Sequence, residues 1–117
     1  MDRKERVEYY REAIKSVLRE YARLFNGQPE GVDVVAVCDD DTNTYTVINV
    51  GWYNNDSQRM NITSILLRIV NGKIWLEEDN TTYQFVEELL DQGIQKDEIV
   101  LASKAPSMRP YTGFAVA

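Results

Sequence analysis

The chain has 117 residues, of which 44% are hydrophobic and 27% charged, and its net charge at pH 7 is −6. This length and composition predict one globular domain, residues 1–117, and they exclude an intrinsically disordered chain. The histidine count is zero, which excludes Ser-His and Cys-His nucleophilic pairs, histidine general bases and histidine-ligated metals. The acidic balance opposes non-specific DNA binding, because such binding depends on neutralising phosphates.

The sequence also favours a particular location. No apolar run is long enough to cross a membrane, and residues 1–6 lead into an amphipathic pattern rather than an apolar signal core. We therefore expect no membrane segment and a cytoplasmic location. Cys38 is the single cysteine and lies in an apolar run, which predicts a small buried side chain without a disulfide.

The first predicted elements are a long helix and a set of strands. Residues 4–25 place apolar side chains at three- and four-residue steps, which is typical of an amphipathic helix, and Gly27 and Pro29 end it. Asn71-Gly72 lies between two apolar runs and predicts a tight antiparallel hairpin. Turn clusters are predicted at 40–43 and 53–58. The predicted strands are 32–39, 45–52, 60–70 and 73–78.

The second of these strands alternates in polarity. It places Tyr45 and Val47 on one face and the apolar Ile48, Val50 and Trp52 on the other. The apolar set is typical of a face turned toward a core. Taken from the residues alone, both strand tryptophans of the chain are predicted to be core residues rather than ligand platforms.

A second helix is predicted over residues 82–92. Thr81 and Gln84 stand at capping-box spacing, and Gly93 followed by Ile94 fits a left-handed helix end with a hydrophobic contact behind it.

The last part of the chain has mixed character. Residues 98–102 predict a short strand or extended segment, and Pro106 and Pro110 keep the following tail irregular. The apolar end, residues 114–117, is expected to dock on its own core or on another subunit. The predicted fold class is α+β, with an N-terminal helix, an antiparallel sheet of four to five strands, a second helix packed on the sheet and an apolar C-terminal tail.

One acidic cluster has the residue types of a metal site. Asp39, Asp41 and Asn43 match the first three ligand positions of an EF-hand loop, but the sixth and twelfth positions lack the required Gly and Glu. A strand-connecting turn explains the cluster better. The alternative is a metal-dependent hydrolase, which requires Asp39, Asp41 and Glu78 to converge on a divalent ion.

Positive charge is found near the C-terminus of this acidic chain. Lys96, Lys104 and Arg109 lie there together with Tyr111. They predict either solvated cations beside a docked tail or a surface for the acidic face of a partner, because Arg and Tyr are enriched at binding hot spots. A further alternative is an architectural DNA-binding factor, in which these cations form one basic face.

A series of short motifs follows a characteristic order along nearly the whole chain. They are Tyr9-Tyr10, Asp39, Val50-Gly51-Trp52, Gly72-Lys73-Ile74-Trp75, Leu90-Asp91-Gln92-Gly93-Ile94, Glu98-Ile99-Val100-Leu101 and the terminal residues 109–117. In these motifs the sequence resembles the XisI-like family of cyanobacterial proteins, named as the fdxN element excision controlling factor. The terminal motif is the most specific part of the resemblance.

The resemblance implies a role and a partner. The role is control of the excision of a DNA element that interrupts a nitrogen-fixation gene during heterocyst development. The recombinase is then a separate protein, an XisH-like protein is the partner, and any association with DNA is indirect. The absence of histidine and of a nucleophile constellation favours a non-catalytic accessory protein without a cofactor.

The predicted partner-binding residues come from two sources. The resemblance carries over Gly51, Trp52, Lys73, Trp75 and Arg109 as candidate interaction positions, and the tail adds Lys104, Tyr111 and Phe114. Edge strands and an apolar tail also predict a homo-oligomer, a dimer or higher.

Overall fold

The computed structural model describes residues 1–53 and 56–117, so residues 54 and 55 of the predicted 53–58 loop lie outside the described residues. Within these ranges the helices and strands are α1 Arg3–Phe25, β1 Val32–Asp39, β2 Thr44–Tyr53, β3 Gln58–Val70, β4 Lys73–Asp79, α2 Phe85–Asp91 and β5 Ile99–Leu101. Two 3₁₀ segments, Lys96–Glu98 and Pro106–Tyr111, precede and follow β5. The predicted α+β class, with its N-terminal helix, sheet and second helix, is confirmed.

The strands form one sheet in the order β1-β2-β3-β4-β5. The first four are antiparallel neighbours, as the Asn71-Gly72 hairpin predicted. The fifth runs parallel to β4, with Ile74 opposite Ile99, so the sheet is mixed rather than wholly antiparallel. The reason is the chain path, because α2 lies between β4 and β5 and carries the chain back to the end of the sheet where β4 began.

The core lies between one face of the sheet and the two helices. The buried side of α1 consists of Tyr10, Ala13, Ile14, Val17, Leu18 and Tyr21. Residues from all five strands and from α2 complete the same cluster, including Val34, Tyr45, Val47, Ile65, Leu67, Ile74, Ile99, Phe85 and Leu89. The other side of the sheet, which we call the open face, carries no helix of the described chain. Over that part of the chain, no helix has both the length and the apolar character needed to cross a membrane.

The core face of β2 is the opposite of the predicted one. Tyr45 and Val47 are fully buried, whereas Trp52 is 50% exposed on the open face. Both faces of this strand carry apolar residues, so the polarity pattern alone does not identify the face that packs against the core. Tyr45 tolerates burial because its hydroxyl donates a hydrogen bond to Asp40 Oδ1 over 2.7 Å, which satisfies its polar atom.

The predicted capping box of the second helix is wrong, and α2 begins only at Phe85. Gln84 is its N-cap residue and makes no side-chain capping bond. The Thr81 hydroxyl instead donates to Asp79 Oδ1 over 2.7 Å and accepts from the Tyr83 backbone N–H over 3.2 Å. Thr81 therefore stabilises the turn after β4, because short hydroxyl side chains satisfy turns as readily as helix ends.

The predicted end of the second helix is confirmed. Gly93 has a φ of +93°, a conformation that glycine adopts without a steric cost. Its N–H donates to the Leu90 carbonyl over 3.0 Å, and the Ile94 N–H donates to the Leu89 carbonyl over 3.3 Å. These two bonds form a Schellman motif, and Ile94 is buried behind it.

Candidate functional site

The C-terminal tail, residues 102–117, lies along β5 at the edge of the sheet. The Ala115 N–H donates to the Ile99 carbonyl over 2.9 Å, and Ala115 forms a parallel bridge with Val100. Phe114 is half-buried against the core, and Lys96 Nζ lies 5.7 Å from the centre of its ring. The tail is thus held in one place by backbone pairing and by one aromatic side chain.

Arg109 clamps the two ends of this tail together. Its guanidinium donates to the carbonyl oxygens of Ala102 over 3.2 Å, Lys104 over 3.1 Å and Val116 over 3.5 Å. The same group lies 5.2 Å from the centre of the Trp75 ring. Arginine suits this position because its planar group carries five donors and stacks on aromatic faces.

The 3₁₀ segment between these ends is held by local bonds. Pro106 lies in its first turn and Pro110 inside it, where their fixed φ favours a tight turn. The Thr112 hydroxyl donates to the Arg109 carbonyl over 2.8 Å and accepts from the Phe114 N–H over 3.1 Å. The segment is therefore ordered although it is neither a regular helix nor a strand.

This ordered tail turns large apolar side chains toward water. Tyr111 is 82% exposed, Met108 55% and Val116 53%. We call these three residues the tail patch. Lys104 is exposed in the same tail. Large exposed apolar side chains held in an ordered segment are typical of interaction sites, and tyrosine is enriched among residues that dominate binding.

Trp75 contacts the tail through Arg109. It is half-buried on β4, opposite Arg68 of β3, and one face of its ring meets the Arg109 guanidinium. Its indole Nε1 is buried and makes no hydrogen bond within the described chain. The predicted site residues Trp75, Arg109, Tyr111 and Phe114 therefore come together in one region, around the tail.

Trp52 lies far from that region. It is opposite Arg59 of β3, whose guanidinium is 5.8 Å from the centre of its ring. Because Arg59 and Arg68 are nine residues apart on one strand, the two tryptophans are separated by roughly 30 Å.

Gly51 has a packing role at the same end of the sheet. A Cβ atom on Gly51 would overlap the carbonyl oxygen of Gly31 and approach Val32 Cα within 2.9 Å. Only glycine permits this close approach of two backbones.

Lys73 lines a polar pocket between α1 and the segment before β5. The Glu98 carboxylate in that pocket accepts hydrogen bonds from the Tyr10 hydroxyl and, over 2.9 Å, from the Gln95 N–H. Arg6 Nη1 lies 3.8 Å from the same carboxylate. Burial, and next the hydrogen bond to Glu98, raise the pKa of the Tyr10 hydroxyl. This network fastens α1 to the end of the sheet, and Lys73 lies beside it.

The acidic residues of the hydrolase alternative do not converge. Asp39 accepts from the Asp41 N–H over 3.1 Å and from the Thr42 hydroxyl over 2.7 Å, and the Thr42 bond lowers the pKa of its carboxyl. Glu78 is on β4, three strand spacings or about 14 Å to the side, and accepts from Asn80. Over residues 1–53 and 56–117, no three Asp, Glu or Cys side chains are placed to hold one metal ion. The cluster acts as the predicted strand-connecting turn.

Of the three residues of the tail patch, the sequence predicted Tyr111 as a partner-binding residue but not Met108 or Val116. The available signal was the pair of prolines around Arg109, which marks a rigid irregular segment. Such a segment fixes whatever apolar side chains it carries, so the prolines point to Met108 as an ordered exposed side chain.

Comparisons with known proteins agree with this fold. The model of the XisI protein family matches residues 1–116. The solved fdxN element excision controlling factor XisI from Anabaena variabilis ATCC 29413 is 34% identical over 96% of this chain and 99% of that chain, with a TM-score of 0.80. A XisI-like protein from the same organism is 34% identical over 95% of this chain and 99% of that chain, with a TM-score of 0.86. No curated protein matches the chain.

Proposed function

The chain belongs to the XisI family, and from this premise we propose that it is a non-catalytic accessory factor that controls the excision of a DNA element through a protein partner. The description of its Anabaena relative as an fdxN element excision controlling factor supports the role. We infer that the partner is an XisH-like protein, that the setting is cytoplasmic, in cyanobacterial heterocyst development, and that contact with the recombinase and DNA is indirect.

The observation that carries this proposal is the exposed but ordered tail patch. An apolar side chain on a mobile tail loses freedom when it binds, and that loss weakens the complex. Here Arg109 and Phe114 already hold the tail in place. Tyr111 and Met108 are thus presented to a partner with little further ordering, which is the arrangement expected of a binding surface.

The predicted site residues divide by role in this proposal. Tyr111 and Lys104 contact the partner directly, and Arg109, Trp75 and Phe114 fix the tail that presents them. Trp52, next to the structural Gly51, forms a second and separate contact because it lies far from the tail. Lys73 belongs to the polar pocket and supplies a charge at its rim.

A non-catalytic role agrees with the chemistry available. The chain has no histidine, and the carboxylates of Asp39 and Glu98 are occupied by hydrogen bonds within the chain. Burial raises the pKa of the Cys38 thiol, which disfavours the reactive thiolate.

Partner binding is tested by titrating the XisH-like protein of the same genome with this chain and its variants. We expect Tyr111→Ala to weaken the complex at least tenfold, because large exposed aromatic side chains dominate interface energies. Met108→Ala is expected to weaken it less. Leu24→Ala is the matched control, since Leu24 is a 44% exposed aliphatic side chain on α1. If Tyr111→Ala and the unchanged protein bind the XisH-like protein with equal affinity, the tail patch is not the binding surface.

Architectural DNA binding is the second candidate. Lys96 and Lys104 carry charge in the tail region, but the Arg109 guanidinium is directed to carbonyl oxygens of its own tail. This candidate predicts affinity for duplex DNA that falls steeply as salt concentration rises. Such binding without any complex with the XisH-like protein would replace the accessory proposal.

A further inference from the structure

Strand β1 is the first strand in the sheet order, and within residues 1–53 and 56–117 no strand lies on its outer side. Two bonds show which of its backbone groups point outward. The Val32 carbonyl accepts from the Gly27 N–H over 3.0 Å, and the Val34 N–H donates to Asn26 Oδ1 over 3.0 Å. Because alternate residues of an antiparallel edge strand point the same way, the N–H and C=O groups of Ala36 and Cys38 also point outward.

Only the first half of this edge is therefore covered. The segment between α1 and β1 occupies the outward groups near Val32 and Val34. No hydrogen bond from the rest of the described chain reaches the outward groups of Ala36 and Cys38. A row of unpaired N–H and C=O groups is a template for one more strand.

The two sides of that template differ in character. On the open face, Val35 is 41% and Val37 46% exposed, and Ile48 of β2 continues this apolar row beside Val35. A strand added at the edge would place every second side chain next to these valines. Apolar side chains fit that side, because they extend the row and cover the valines.

The other side of the template lies beneath a basic stripe of α1. Arg11, Lys15 and Arg19 follow one another at four-residue steps and so share one face of the helix. Lys15 binds Asp40 over 2.7 Å and Arg11 binds Asn43 over 3.1 Å, both at the β1–β2 turn.

Arg19 comes one helical turn farther along and lies near Cys38, in the second half of β1. Its positive charge reaches the Cys38 thiol, where it opposes the pKa rise that burial causes. Arg19 is exposed, and no ion pair within residues 1–53 or 56–117 engages it. An acidic side chain on the helix side of an added strand would meet this cation.

We propose that the Ala36–Cys38 end of β1 binds an extended segment of another protein as an additional strand, with acidic side chains toward Arg19 and apolar side chains toward Val35 and Val37. The backbone bonds supply affinity, and the alternation of side chains supplies specificity, as in other cases of strand addition. This edge is separate from the tail patch and adds a second binding mode to the proposed function.

A second copy of the chain fits this edge less well. Two-fold pairing of the free groups is centred on Val37, with Ala36 of one copy opposite Cys38 of the other, and it brings the Arg19 side chains of both copies to the same side of the joined sheet, near the axis. An acidic strand replaces this repulsion by an attraction.

The test uses two blocked seven-residue peptides, one alternating Val and Glu and the other alternating Val and Lys. Each is titrated, below its own self-association concentration, into the ¹⁵N-labelled full chain at low salt. We expect the Val-Glu peptide to shift the amide signals of Ala36 and Cys38 and to bind at least tenfold more tightly than the Val-Lys peptide. Arg19→Glu should reverse this preference, and Arg19→Gln should weaken Val-Glu binding without reversing it.

Three results would overturn the proposal. They are equal binding of the two peptides, signal changes confined to residues outside β1, and a concentration-dependent dimer that Val37→Lys abolishes. The last result would assign the edge to a second copy. Binding of the XisH-like protein depends on Tyr111 in the proposed function, so Arg19→Glu should leave that affinity unchanged. The two proposals can therefore fail independently.

Discussion

Arg109 holds the tail in position but is not itself one of the exposed residues of the tail patch. The resemblance marks it as an interaction position, and its charge suggests a contact with an acidic partner. In the structure its donors are directed to three carbonyl oxygens of the tail and its plane covers Trp75. Its contribution to binding is therefore expected to act through the position of Tyr111.

Replacing Arg109 by lysine tests this clamp. Lysine keeps the charge but has no planar fork, so it cannot hold the carbonyl oxygens of Ala102 and Lys104 together. We expect about 2 kcal/mol less local stability, seen as roughly thirtyfold faster hydrogen exchange at the Ala115 amide.

Arg59→Lys is the control for the clamp, because Arg59 also stacks on a tryptophan but is on β3. It should leave exchange at Ala115 unchanged. Unchanged exchange in Arg109→Lys itself would show that Phe114 and the backbone bridge hold the tail alone.

For single residues, the sequence predicts the local backbone role of a position better than it predicts which distant residues that position contacts. Gly93 was predicted correctly because a helix followed by glycine and an apolar residue has one common local solution. Gly51 looked like an interaction position, yet the structure places its backbone against Gly31. That contact joins two residues twenty positions apart and has no local signal.

Helix α1 is fastened to the sheet by a charged group at the β1–β2 turn. Asp40 Oδ2 binds Lys15 Nζ over 2.7 Å, and its Oδ1 accepts from the Tyr45 hydroxyl over 2.7 Å. The bond from Lys15, followed by that from Tyr45, lowers the pKa of the Asp40 carboxyl below its usual value. The turn that the sequence identified by composition is thus also a contact between two elements.

The lowered pKa gives this contact a defined pH dependence. The pKa of the Asp40 carboxyl is lower in the folded chain than in the unfolded chain, where it is near 4. The ionised carboxyl therefore stabilises the fold fully above about pH 4, and this stabilisation is lost as the pH falls through the pKa of the folded state. Asp40→Asn should therefore lower the free energy of unfolding at pH 7, and the difference from the unchanged protein should shrink below about pH 4. Denaturant unfolding at several pH values measures it.

The control for this substitution is Asp41→Asn, which removes the same charge from the next position of the turn. It should not reproduce the pH-dependent difference, because Lys15 and Tyr45 bind Asp40. If the difference in the free energy of unfolding between Asp40→Asn and the unchanged protein stays constant from pH 7 to pH 3, this assignment is wrong.

At the element scale, periodicity predicted α1 and the hairpins because their signals are local. The core face of β2 was not predictable in this way, since apolar residues occupy both of its faces and only the helix decides which is covered. The parallel pairing of β5 likewise depends on the path through α2. Both errors come from tertiary context, which overrides strand pattern.

The whole molecule has a covered and an uncovered side. Both helices pack on one side of the sheet, and the open face, the β1 edge and the tail patch remain available to other molecules. The net charge of −6 adds a general repulsion from nucleic acid. The architecture therefore favours control through protein contacts over direct action on DNA.

The sequence predicted the fold class, the helices and strands and the tail motif. It did not predict which apolar side chains are exposed on the surface. Trp52 and Trp75 are both strand tryptophans, yet one is half-exposed beside Arg59 and the other lies under Arg109. Nothing in the local pattern separates them. Their surroundings are set by residues far along the chain, and these determine which apolar groups remain exposed.

Control through a protein partner can be tested by sedimentation velocity of the purified chain mixed with the XisH-like protein of the same genome at micromolar concentrations. We expect one faster species that contains both proteins and that becomes less abundant with Tyr111→Ala. Two species that sediment as they do alone, at every mixing ratio, would contradict control through this partner.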